Sequence, residues 1–138
     1  MNLAVDLSET LAAVLRESAF ENRYMLHPRR LAGIGKEVVE SFLRFAESRD
    51  PAAASELGAR LAGEGFGGKT ALKLASGLRL FCRKHPSGNS GVPADLPDAA
   101  ESYTYALLEG FLTGWEAKIL ADQENLRRAL STALADRG

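Results

Sequence analysis

Apolar residues recur along this chain at steps of three and four, and no stretch alternates strictly between apolar and polar, so the pattern predicts helices and no sheet. Punctuation divides the chain into five or six of them. Leu7, Leu11, Val14, Leu15 and Ser18 share one face, and Asp6 followed by Glu9 reads as a capping box, which together predict a first helix over about 7–21. Pro28 suits a first helical turn, and Leu31, Ile34, Val38, Phe42 and Phe45 then mark the clearest buried helix, up to about Glu47. Asp50 and Pro51 repeat the start signal for a third helix through Ala54, Leu57 and Leu61, which must stop near the glycines at 63, 65, 67 and 68. A fourth follows with Ala71, Leu74, Ala75, Leu78, Phe81 and Cys82 inward, and residues 86–97 (PSGNSGVPADLP) form a long loop.

From Asp98 to about Asp136 no proline interrupts the pattern, which predicts one helix or two joined by a bend at Gly110 or Gly114. Its halves differ. Tyr103, Leu107, Leu108, Phe111, Leu112 and Trp115 make a broad apolar face suited to a core, whereas Ile119, Gln123, Leu126, Leu130 and Ala133 make the narrow seam of a coiled coil with one polar position. The expected organisation is one domain, with a core over 1–118 and an extension over 119–138 that serves dimerisation and signalling. Ala106, Gly110 and Gly114 recur every four positions and mark a close helix crossing, either inside the core or between two copies.

Composition narrows the choice. The 138 residues, 46% of them hydrophobic, suffice for one core, and a net charge of −1 from 17 basic and 18 acidic residues offers no field for nucleic acid or anionic lipid. The single cysteine, Cys82, excludes a disulfide framework and suits a reducing compartment, so the cytoplasm is the expected location. Asp6 and Glu9 argue against a secretory leader, and no apolar run approaches the ~20 residues that span a bilayer.

Candidate chemistry changes this picture little. Gly63 to Thr70 (GEGFGGKT) matches the phosphate-loop pattern letter for letter, with Lys69 and Thr70 in the phosphate and magnesium positions. That chemistry needs a strand before the loop, and the residues before this one, AAASELGARLA, are helical in pattern, so the preferred reading is a helix stop. Either His27, beside Pro28, or His85, after Arg83 and Lys84, could be an axial haem ligand, with His85 the one singled out, although a histidine at a helix end more often simply suits the dipole. His27 and His85 lack the carboxylate or cysteine neighbours of a zinc site, and Cys82, three residues from His85, reads as a buried thiol and not a nucleophile. Arg23, His27, Arg29, Arg30 and Lys36 form a basic patch, but Glu17, Glu21, Glu37 and Glu40 interleave with it, which points to a solvated, salt-bridged surface. No enzyme activity, metal or cofactor is expected.

The stretch Leu31 to Phe45 (LAGIGKEVVESFLRF), the stretch Gly65 to Arg83 with its GLRLFCR, and above all Tyr105 to Leu130 (YALLEGFLTGWEAKILADQENLRRAL) resemble the N-terminal sensor domains of RsbR-type stressosome and related bacterial signalling proteins. The likeness covers most of the chain and is one of pattern. It implies an all-α, globin-like helical bundle without haem, with a long C-terminal helix. It further implies a homodimer upstream of an output module of the PAS, STAS or kinase type, with Ile119, Gln123, Leu126 and Leu130 carrying the signal.

Overall fold

The computed structural model describes residues 3–17, 28–84 and 95–136, and it is an all-α bundle with a long C-terminal helix. The helices are α1 (Leu3–Glu17), α2 (Pro28–Ser48), α3 (Ala52–Gly63), α4 (Gly68–Lys84) and α5 (Leu96–Ala135). No strand occurs among the described residues.

The apolar spacing sets which face of each helix turns inward. Leu7, Leu11 and Leu15 of α1, Leu31, Ile34, Val38, Phe42 and Phe45 of α2, and Leu74, Leu78, Phe81 and Cys82 of α4 are all buried. Each fully buried Leu, Ile or Phe contributes roughly 1.5–3 kcal/mol. α5 is the scaffold of the domain: α3 lies along it, α4 and α2 pack on it, and α1 closes the bundle against α2 and α4. At its centre the buried Tyr103 ring meets Phe42 and Phe45 edge to face, at centroid distances of 5.4 and 5.5 Å. Ion pairs tie the ends together. Arg49, just past α2, reaches Asp98 at 3.0 Å, and Arg79 of α4 reaches Glu101 at 3.3 Å.

Several boundaries depart from the sequence expectation. α1 begins at Leu3, so Asp6 is not a cap; it lies in the first turn, where its charge suits the helix dipole and its carbonyl accepts the Thr10 hydroxyl at 2.9 Å. Residues 18–21 of the expected first helix, including Ser18, lie outside the described residues. Asp50 does act at the start of α3, its Oδ1 accepting the Ala52 amide at 3.1 Å. α5 begins at Leu96, inside the expected loop, because Pro97 fits its first turn and Leu96 is fully buried. It then runs as one helix through Gly110 and Gly114 and is not divided in two at either glycine. The close packing of α3 against both glycines outweighs the weak helix propensity of glycine.

The core also ends earlier than expected. Phe111 is buried, but Leu112 is 57% exposed and Trp115 is 46% exposed, so both lie outside the core to which the sequence pattern assigned them. The last backbone approach to the domain is at Gly114, against α3, with Lys118 donating to the Gly63 carbonyl at 2.9 Å. Beyond that point α5 projects for about 20 residues, or roughly 30 Å.

Candidate functional site

The projecting part of α5 holds the residues expected to carry the signal. Ile119 is half-buried, Gln123 is exposed, and Leu126 and Leu130 are 63% and 57% exposed. Ile119 keeps partial cover from its own chain, whereas Gln123, Leu126 and Leu130 stand out in solvent. Upstream the same outward stripe continues through Trp115, Leu112 and half-buried Leu108 to exposed Tyr105. From Tyr105 to Ile119 the steps are three, four, three, four; a further four to Gln123 then precedes three, four, three to Ala133. That extra step of four is a stutter, which locally unwinds a left-handed supercoil while keeping the stripe on one side. The tail is stiffened along its surface by Glu124, which accepts from Arg127 at 2.8 Å and faces Arg128 at 3.4 Å; the Arg127 bond holds the Glu124 carboxyl below its ordinary pKa.

The small-residue crossing lies within one molecule. A Cβ on Gly110 would sit 1.9 Å from the Ser55 carbonyl oxygen, one on Gly114 2.7 Å from the Ala59 Cα, and one on Gly58 2.0 Å from the Leu107 carbonyl oxygen. α3 and α5 therefore touch backbone to backbone, and the alternative of a crossing between two copies at Gly110 and Gly114 is excluded because α3 fills that space. The signal for the partner was present as Ser55, Gly58 and Ala59 on α3, a second row of small residues at helical spacing.

The phosphate-loop match is a helix stop. Gly65 adopts φ 98°, a left-handed conformation open to glycine, its amide bonding the Ala62 carbonyl at 3.1 Å and the Phe66 amide the Leu61 carbonyl at 3.2 Å. Those paired bonds, with Phe66 buried behind them, form a Schellman motif. The two amides are thus committed to helical carbonyls and cannot encircle a phosphate. Lys69 is exposed and Thr70 fully buried, so the two side chains do not converge on one ligand.

His27 and Arg23 lie outside the described residues, and so does His85, the expected haem-ligand position. Within the rest of the basic patch, Arg30 pairs with Glu64, and Glu37 pairs with Arg60. Among the described residues no group of three or more His, Cys, Asp or Glu side chains could hold a metal, and no helix is long and apolar enough to cross a membrane.

Among the described residues two groups titrate far from their ordinary values. Burial pushes the Cys82 thiol up from 9.0 to about 12, which leaves it protonated and a poor nucleophile. Burial likewise pushes Tyr103 from 10.0 to about 12, with the Glu37 charge adding to the rise while Ser41 and Arg44 oppose it. The unfolded chain would release these protons near pH 9 and 10, the folded chain only near 12, so in that window the native state holds more protons and stability falls as pH rises. Denaturant titrations should show the midpoint dropping between pH 9 and 11, with Cys82 inert to alkylation at pH 8 until denaturant is added. Rapid alkylation of the native protein at pH 8 would contradict the burial.

The outer side of the α2 and α3 pair forms a cleft of about 720 Å³. Its apolar floor is Phe45 and Leu57, and beside them Ser41 is only 9% exposed, its hydroxyl lacking a hydrogen-bond partner. The neighbouring Tyr103 hydroxyl donates, at a long 3.5 Å, to the Val38 carbonyl, and Ser41 lies close enough to it to lower the Tyr103 pKa. An unpaired buried hydroxyl costs roughly 1–3 kcal/mol. Sequence reading passed over this cleft because Ser41, Arg44 and Glu56 are unremarked polar residues until the fold sets α2 beside α3.

No family model, curated protein or solved structure matches this chain.

Proposed function

We propose that this chain is a bacterial signal-transduction sensor domain of the globin-like, haem-free kind, which pairs with a second copy and transmits a signal through α5 to an output module of the PAS, STAS or kinase type. The observation that supports it is the exposed stripe from Tyr105 to Ala133. The projecting part of α5 gains little packing from its own bundle, and carrying Leu126, Leu130 and Trp115 to solvent loses free energy that a parallel partner restores. In this reading the domain acts in the cytoplasm and needs no catalytic group, metal or cofactor. The bundle would hold two packings of similar energy, and a ligand or partner that prefers one would shift the crossing of the paired α5 helices. The stutter between Trp115 and Gln123 is where the supercoil is least committed to one twist.

The test is self-association. Leu126→Glu together with Leu130→Glu places like charges along the seam of both copies while keeping a good helix former at each position. The dimer dissociation constant should rise at least ~100-fold, about 2.7 kcal/mol, with helical content by circular dichroism unchanged. Sedimentation equilibrium that finds the same dimer in both proteins, or a monomer in the parent, sinks the proposal.

A further inference from the structure

The cleft between α2 and α3 has features that the signalling helix does not use. Where paired helices ordinarily interdigitate apolar side chains, α2 presents Glu37, Ser41 and Arg44, and α3 presents Glu56 and Arg60. The loop at Arg49 to Pro51 closes one end, and the ion pair between Glu37 and Arg60 bridges the helices at the other. Three charges on the two walls have no ion-pair partner among the described residues; Asp50, in the closing loop, has none either, but its carboxylate accepts the Ala52 amide. The three are Arg44, whose Nε makes only a 3.4 Å bond to its own helix at the Glu40 carbonyl, and Glu47 and Glu56, one on each wall. Beneath them lies the Ser41 hydroxyl, buried and without a partner.

A ligand complementary to one free guanidinium and two free carboxylates carries one carboxylate and two ammonium groups on an aliphatic stem. We propose that the α2–α3 cleft binds a small basic amino acid of the lysine or ornithine type. Arg44 takes its carboxylate as a forked pair. Glu47 and Glu56 take the two ammonium groups from opposite walls, the methylene stem lies over Phe45 and Leu57, and Ser41 gains the hydrogen-bond partner it lacks. An anion alone is disfavoured, because the lining carries four carboxylates (Glu37, Glu47, Asp50, Glu56) against two guanidiniums. A metal ion is also disfavoured by Arg44 among the ligands. The proposal deepens the sensor reading by naming the class of stimulus, since a ligand spanning both walls would fix the angle between α2 and α3, and α3 lies against α5.

The experiment is calorimetric titration of the full chain with L-lysine, with 6-aminohexanoate (one amine, one carboxylate) and cadaverine (two amines, no carboxylate) as separate arms. L-lysine should bind saturably, one per chain, and more tightly than either analogue, with affinity falling at least tenfold in Arg44→Gln and in Glu56→Gln. Both side chains are exposed, so the variants should keep the parent's circular dichroism spectrum. Absence of saturable lysine binding, cadaverine binding as tightly as lysine, or affinity unchanged in both variants would overturn the proposal. Sedimentation of the same samples separates this outcome from the association test: lysine binding by a monomer supports the cleft and refutes the paired helix.

Discussion

Gly110→Ala should lower stability by about 3 kcal/mol or more, a loss of roughly 10 °C in Tm, although alanine is the better helix former by about 1 kcal/mol. The added Cβ lies 1.9 Å from the Ser55 carbonyl oxygen, and the neighbouring atoms are backbone, which has no rotamer to escape into. Relief requires α3 and α5 to move apart, and that breaks their backbone-to-backbone packing. Gly58→Ala should behave alike, because its Cβ would meet the Leu107 carbonyl oxygen at 2.0 Å. Gly33→Ala is the control: it sits within α2 with nothing within 4 Å, so the same substitution should be neutral or stabilising by up to about 1 kcal/mol. Denaturant unfolding of the three variants decides the matter. If Gly110→Ala shifts only self-association and leaves the stability of dilute protein intact, the crossing belongs between copies and not within one.

Removing residues 119–138 should have the opposite signature. The described side chains in that segment are exposed apart from half-buried Ile119 and Glu124, so stability should change by less than about 1 kcal/mol. Self-association should disappear at micromolar concentration. The truncation deletes Ile119, Leu126 and Leu130 from both copies, and six such side chains at about 1.5 kcal/mol each exceed what most dimers have to spare. Sedimentation velocity and thermal unfolding of the shortened chain check both halves. An unfolded product would mean that the tail is part of the core, and a persistent dimer would move the interface to another face.

These outcomes bear on how much of the molecule was legible beforehand. The faces of α2 and α4 were readable because burial in a helix leaves a local signature: Leu31, Ile34, Val38, Phe42 and Phe45 recur with the helical period, and all five are buried. A stop near the glycines at 63, 65, 67 and 68 was readable for a similar reason, and the backbone then placed the left-handed residue at Gly65, before buried Phe66. The start of α1 was misplaced because Asp6 and Glu9 suit a first turn as well as a cap, and only the backbone distinguishes the two. Leu112 and Trp115 were assigned to the core because apolarity shows that a residue seeks cover and not which neighbour supplies it. The α2–α3 cleft left no trace in the pattern, since Ser41, Arg44 and Glu56 look like ordinary surface residues on separate helices.

The order of apolar and small residues alone therefore determined that the chain is helical, roughly where its helices begin and end, and which side of most of them turns inward. Tertiary structure alone decided that Gly110 and Gly114 meet Ser55 and Ala59 of the same chain, and that the core ends at Phe111 with α5 continuing beyond it. The physical reason is range. Helical periodicity is set by hydrogen bonds four residues apart, whereas the partner of a small residue or an exposed leucine is chosen by shape across dozens of residues, and no local spacing encodes it.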